Sequence, residues 1–177
     1  MPKQTKPNIK EYIPKKKIAK RISQLAKRIN KDYKGKKPIF IGILNGSFIF
    51  LADLIREINV ECEIDFLKLS SYGDEKISSG EVKQLKELNC QIENRDIIIV
   101  EDIVDSGLSA MYIKNIIEAK KPASLKFISL LFKKNTSNLD FKIDYIGFEI
   151  DNKFVIGYGL DFAQSYRNLN AVYVLHS

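Results

Sequence analysis

The densest chemical signal in the chain lies at residues 97–109, IIIVEDIVDSGLS. An apolar, strand-forming run ends in two adjacent carboxylates, Glu101 and Asp102, and a third, Asp105, follows three residues later. Taking unpaired carboxylates out of water costs several kcal/mol. Such acids therefore belong at a strand's exit, facing a cation or hydroxyl groups. Ser106 and Ser109 add hydroxyls, Gly107 lets the backbone approach a ligand closely, and the N–H groups at the start of the following helix point at an anion. The Walker pattern GxxxxGK[ST] does not occur. Paired acids beside a cradle of N–H groups suit a sugar phosphate, with the phosphate in the loop and the ribose hydroxyls on the acids.

The elements that must hold these residues alternate between strand and helix. Residues 1–14 are polar, contain three prolines and read as a loose arm. From 15 to 33, Ile18, Ile22, Leu25, Ile29 and Tyr33 recur at helical spacing, and Gly35 and Pro38 end the helix. A continuous apolar run at 38–44 reads as a strand covered on both faces. The turn Asn45-Gly46-Ser47 leads into a helix over 47–58 with Ser47 near its N-cap. A strand at 60–69 precedes a polar loop at 70–80, and 81–88 alternates in period two, as a ribbon paired with the preceding strand would. After the acidic strand come a helix at 109–120, a strand at 125–132, and short strands at 145–150, 154–158 and 171–175. This order predicts a single α/β domain over 15–177 with a mainly parallel sheet. Ligands of such sheets sit beyond the carboxyl ends of the strands.

Composition narrows the function classes. Residues 1–37 hold 14 Lys or Arg against two acids, +12, while the remaining 15 basic and 20 acidic residues give −5, for a net charge of +7 over 177 residues. The basicity is thus local to the arm and first helix and is read as a solvated Lys-rich surface rather than a nucleic-acid face. Cys62 and Cys90 form no CxxC pair, and the one histidine is His176, so neither a zinc site nor a disulfide framework is expected. Reduced thiols suit a cytoplasmic location. The first twelve residues lack an apolar signal core, and no run approaches the ~18 apolar residues of a membrane span.

VEDIVDSGLS resembles the signature with which type I phosphoribosyltransferases bind 5-phosphoribosyl-1-pyrophosphate (PRPP). YIGFEIDNKFVIGYGLDFAQSYRNLNAVYVL at 145–175 is similar over its full length to the hypoxanthine (hypoxanthine-guanine) phosphoribosyltransferases. LNGS at 44–47 and SSYG…SSGEV at 70–82 match that family's pyrophosphate loop and mobile lid. The resemblance spans roughly residues 38–175. It implies the type I phosphoribosyltransferase fold, with a small hood from the chain ends, and a magnesium-dependent enzyme of purine salvage. That enzyme joins hypoxanthine, and guanine, to PRPP, releasing diphosphate and IMP or GMP.

The resemblance further implies that Glu101 and Asp102 hold the ribose hydroxyls, partly through Mg2+, and that Asp105 faces purine N7 as general acid or base. Ser106, Gly107, Leu108 and Ser109 bind the ribose phosphate; some members carry Lys where Leu108 stands, a change that a backbone cradle tolerates. Asn45 and Gly46, in a turn that often holds a non-proline cis peptide, bind pyrophosphate with Ser71, Tyr72 and Arg167. Lys133 donates to the purine O6, which favours 6-oxopurines over adenine, while Phe154 stacks on the base and Val155 offers backbone groups to its edge. Asp161 binds a second Mg2+ near the base's 2-position. A homodimer or homotetramer is implied, with no membrane partner. Taken without the resemblance, several of these residues have plainer readings. Asn45-Gly46 fits any strand–helix turn, Lys133 a solvated strand end, and Phe154-Val155 core packing. Hypoxanthine, guanine and xanthine are left unordered. The rival class is an RNA-binding regulator on the same fold with the basic helix as its RNA face, a role for which the full set of base, metal and pyrophosphate positions has no use.

Overall fold

The computed structural model describes residues 8–71, 82–86 and 88–176. In chain order the elements are β1 (Asn8–Ile13), α1 (Lys15–Asp32), β2 (Ile39–Leu44), α2 (Phe48–Ile55), β3 (Glu63–Ser71), β4 (Val82–Lys86), β5 (Asp96–Val104), α3 (Leu108–Glu118), β6 (Ser124–Phe132), β7 (Tyr145–Glu149), β8 (Val155–Ile156) and β9 (Val172–His176). A six-stranded sheet runs β4-β3-β2-β5-β6-β7, and β1-β9-β8 form a small second sheet. Strands β3, β2, β5, β6 and β7 are parallel, and β4 pairs antiparallel with β3 as the ribbon its period-two pattern predicts.

The sheet is buried on both faces because its central strands carry continuous apolar runs, 39–44 in β2 and 97–100 in β5. Along β5, Ile98 and Val100 join one core with α1 and α2, while Ile97 and Ile99 join a second core with α3. Each fully buried isoleucine contributes about 2–3 kcal/mol on transfer from water. Helix α1 buries Ile18, Ile22, Leu25, Ala26 and Ile29, the stripe its spacing predicts. Part of its basic charge has a structural use. Arg21 donates to the carbonyl oxygens of Ile146 and Gly147, each at 2.8 Å, satisfying acceptors on the edge strand β7. No described helix is long and apolar enough to cross a membrane.

One expectation is corrected. The loose arm begins to pair at Asn8, where β1 lies antiparallel to β9 from Asn8↔His176 to Ile13↔Val172. Tyr12, Ile13, Val172 and Val174 pack on the core there, and pairing across the length of the chain is invisible to local composition. Ser47 stands at the N-cap of α2, as expected, and its carbonyl accepts the Leu51 N–H at 2.8 Å, but its side chain makes no cap bond. Its hydroxyl donates backwards to the Ile43 carbonyl at 2.7 Å, tying the turn to β2 instead.

Asp65 on β3 is buried, with its carboxylate accepting N–H groups of Phe66 (2.7 Å), Asn89 (2.6 Å) and Cys90 (3.0 Å) and facing the Lys86 ammonium at 3.2 Å. Burial pushes this acid up, but the three N–H groups and Lys86 outweigh it and hold the carboxyl down at about 2. A lowered folded-state value stabilises the fold above the ordinary range near 4, and that stability is lost as pH falls through 4 towards 2. Asp65→Asn should therefore cost about 2 kcal/mol at neutral pH and flatten the acid limb, as measured by denaturant unfolding at pH 7 and pH 3. An unchanged midpoint at pH 7 would refute the anchor. Cys62 and Cys90 are free thiols, and burial pushes both up, Cys90 to about 11, as unreactive reduced cysteines require.

Candidate active site

The crossovers from β2 and β5 run to opposite sides of the sheet. Helix α2 carries the chain from β2 outward to β3, and α3 carries it from β5 to β6 on the other side. The carboxyl ends of β2 and β5 thus flank a topological switch point, where an open α/β sheet leaves a crevice. Three loops meet there: 45–47 after β2, 105–107 after β5, and the segment that Lys133 opens after β6.

The acidic strand continues two residues past the acids, to Val104. Glu101 is 5% exposed, deeper than a strand-exit position suggests. Burial and then the neighbouring Asp102 charge push its carboxyl well above the ordinary range. Burial also raises Asp102, to about 6, against the lowering pull of its own and the Ile103 N–H groups and of the Arg167 guanidinium. Asp102 lies directly against the turn after β2, so close that a Cβ at Gly46 would overlap its carboxylate. The peptide between Leu44 and Asn45 is cis, as the resemblance implies.

Beyond β5 the chain turns through Asp105 and Ser106 to Gly107, whose φ of 87° suits glycine. The first helical bond of α3 runs from the Met111 N–H to the Gly107 carbonyl at 2.9 Å. The N–H groups ahead of it have no intrahelical partner; that of Leu108 donates to Ser106 Oγ at 3.4 Å, a long bond that a ligand can replace. The loop is backed by Asn138, which donates its N–H to the Ser106 carbonyl at 3.0 Å, and by Leu139, which packs on Gly107.

Lys133 continues the ladder by donating its N–H to the Val104 carbonyl at 3.0 Å. Its side chain is buried, and its ammonium meets Asp105 Oδ2 at 2.6 Å and Asn152 Oδ1 at 3.3 Å. The other oxygen of Asp105 accepts the Thr136 hydroxyl at 3.0 Å. Opposite, the chain from β8 to β9 lays Gly159 on the Gly46 carbonyl. Arg167 donates to the Gly159 carbonyl at 2.8 Å and pairs with Asp161 at 2.8 Å, whose second oxygen accepts the Gln164 N–H at 2.8 Å. Val155 is buried in β8, while Phe154 is 54% exposed and meets Phe162 edge-on, ring centroids 5.7 Å apart at 87°.

Two adjoining cavities result. One of about 250 Å³ is lined by Glu101, Ser106, Gly107 and Ser109. The other, about 320 Å³, is lined by Asn45, Gly46, Lys133, Phe154, Asp161 and Arg167. Asp102, Ile103 and Asp105 border both. A larger depression of about 590 Å³ at residues 90–94 and 119–121 contains none of these groups. Leu108 is exposed at the start of α3 and contributes backbone only. Ser71 ends β3, and Tyr72 with the expected lid lies outside the described residues.

The Phosphoribosyl transferase domain family matches residues 8–163. A hypoxanthine-guanine phosphoribosyltransferase of Bacillus subtilis is 43% identical over 166 residues, 94% of this chain and 92% of the relative. The chain belongs to the hypoxanthine-guanine phosphoribosyltransferase family. A hypoxanthine phosphoribosyltransferase of Buchnera aphidicola is 44% identical, covering 93% of the chain and 94% of the relative. Among solved structures, a hypoxanthine-guanine phosphoribosyltransferase of Bacillus anthracis superposes with a TM-score of 0.91 at 37% identity, covering 97% of this chain and all of that one. A hypoxanthine phosphoribosyltransferase of Staphylococcus aureus gives 0.90 at 37% identity, covering 94% of this chain and 91% of that one. The phosphoribosyltransferase fold anticipated from the motifs is the fold observed.

Within that family frame, sequence reasoning missed Thr136, Asn152, Ile103, Leu160 and Phe162. Ile103 sits inside an apolar strand and reads as core, and Leu160 likewise. Thr136 and Asn152 sit in polar loops whose composition carries no signal. Only the close approach of those loops to Asp105 and Lys133 gives them a part.

Proposed function

We propose that the chain converts hypoxanthine, and guanine, plus PRPP to IMP or GMP plus diphosphate, in the cytoplasm and as a homodimer or homotetramer. The observation that carries this is the Asp105–Lys133 couple, in which Asp105 borders both cavities and Lys133 lines the one opposite Phe154. The smaller cavity takes the ribose 5-phosphate, its phosphate on the N–H groups of Ser106, Gly107, Leu108 and Ser109 and its hydroxyls towards Glu101 and Asp102. The larger takes the base and pyrophosphate. Lys133 donates to O6 and Asp105 exchanges the proton at N7, a hydrogen-bond pattern that fits a 6-oxopurine and opposes a 6-amino group. Phe154 stacks on the base, with Phe162 bracing the ring, and Val155 presents backbone groups to its edge. Asn45 and Gly46 offer N–H groups to pyrophosphate, and Arg167 exchanges Asp161 for its oxygens.

Displacement at C1′ builds positive charge on the ribose and negative charge on the leaving group, so carboxylates beside the sugar and cations beside pyrophosphate lower the barrier. The donor set fits Mg2+. Mg2+ keeps waters and shares phosphate oxygens with one or two carboxylates. Glu101 and Asp102 would hold one ion and Asp161 a second. Bound there, Mg2+ would neutralise charge on the diphosphate.

The deciding experiment is diphosphate release from PRPP with Mg2+ and hypoxanthine, guanine, xanthine or adenine. Turnover with the first two and not adenine is expected; no turnover with any base would refute the reading. Phe154→Ala should raise the KM for hypoxanthine by about tenfold to a hundredfold, since base–aromatic stacking is worth ~1–3 kcal/mol. The KM for PRPP should hold, and steady-state kinetics in each substrate separates the two.

A further inference from the structure

Asn152 lies between β7 and β8, two residues before Phe154, and touches no atom expected to react. Its side chain nonetheless reaches Lys133. A lysine ammonium has three donors and no acceptor, and it turns freely about its last bond unless acceptors fix it. At Lys133 two donors are committed, one to Asp105 Oδ2 at 2.6 Å and one to Asn152 Oδ1 at 3.3 Å. An amide facing an ammonium must present its oxygen, so the orientation of Asn152 follows from its partner. With two acceptors in place, tetrahedral geometry fixes the third hydrogen, which is left for a ligand in the cavity that Lys133 lines.

We infer that Asn152 is a positioning residue for base selection: it fixes the Lys133 ammonium so that a single donor meets the acceptor at position 6 of the purine. The inference rests on the proposed reading of Lys133. Asp105 alone leaves the ammonium a free rotor about the Asp105 contact, able to turn two donors away from the base. Asn152 comes from the same short connection as Phe154, so one segment sets both the wall on which the base stacks and the donor that reads its edge.

The test uses two variants of the full chain. Asn152→Leu keeps the shape and removes the acceptor, and Asn152→Asp keeps an acceptor. The Leu variant should raise the KM for hypoxanthine about tenfold, or 1.4 kcal/mol, with little change in kcat or in the KM for PRPP. The preference for hypoxanthine over adenine should narrow, and the Asp variant should restore both. A parent-like KM for hypoxanthine in the Leu variant, or equal rises for both substrates, overturns the inference. Reductive methylation of Lys133, followed by peptide mass spectrometry without substrates, gives a readout independent of turnover. The Leu variant should label several-fold faster than the parent and the Asp variant should not; equal rates overturn the inference. A parent that turns over no 6-oxopurine refutes the proposed function, and the labelling still decides whether Asn152 holds the ammonium.

Discussion

Asp105→Asn should lower kcat by about a hundredfold to ten-thousandfold, the range expected when a general acid or base is removed. The substitution is nearly isosteric and keeps an oxygen for Lys133. What it deletes is the ability to carry a proton to or from the base, together with one acceptor: the amide nitrogen cannot take the Thr136 hydroxyl bond that the carboxylate accepts at 3.0 Å. The neighbouring N–H cradle is untouched, because the loop's turn depends on Gly107 and on its backing by Asn138 and Leu139. PRPP should therefore bind with an affinity near that of the parent. Equilibrium binding of PRPP beside single-turnover kinetics checks both halves. Unchanged turnover would remove Asp105 from the chemistry, and lost PRPP binding would make its role structural.

Gly46→Ala carries the second largest expected effect, for a steric reason. The added Cβ would overlap the Asp102 carboxylate, and the turn cannot retreat because Gly159 already lies on the Gly46 carbonyl from the other side. Either Asp102 swings away or the Asn45–Gly46 turn shifts, and each moves a group placed beside the reacting ribose. Displacement of catalytic groups by about 1 Å can cost a hundredfold. A loss of about that size in kcat/KM for PRPP is expected, with hypoxanthine binding changed less because Lys133 and Phe154 stand on other segments. Neither Asn45 nor Gly46 belongs to either core, so cooperative unfolding should persist. A Gly46→Ala protein with parental PRPP kinetics would mean that the contact with Asp102 has no part in the reaction.

The two variants probe parts that differed in how far the chain alone revealed them. Asp105 is conspicuous in one dimension, since an acid three residues after a paired acid and just before Ser-Gly has no use in an ordinary strand–turn–helix. Gly46 is not, since an Asn-Gly turn between strand and helix needs no further explanation until Asp102 is found against it. The same contrast holds for the cations. Lys133 and the adjacent Lys134 are alike in composition, and the burial of one against Asp105 separates them. Arg167 was placed by resemblance. Its ion pair with Asp161 and its bond to the Gly159 carbonyl appear only once residues 159–167 fold back on themselves.

Several features follow from local sequence because their causes are local. Apolar runs too continuous for one-sided strands required a sheet covered on both faces, and the stripe of Ile18, Ile22, Leu25 and Ile29 required a helix lying against it. The adjacent carboxylates and glycine-bearing turn at 101–109 required a ligand with charge and hydroxyls. Tertiary structure decided the rest. It paired β1 with β9, turned the Ser47 hydroxyl back to the Ile43 carbonyl, and buried Glu101 more deeply than a strand's last residues suggest. It also brought Lys133 and Asn152 together across 19 residues and Lys133 and Asp105 across 28. Short-range order is written in hydrophobic period and turn chemistry, which each segment carries by itself. Which side chains share a cavity depends on how crossovers wind about the switch point, and winding is fixed only when both faces of the sheet are packed.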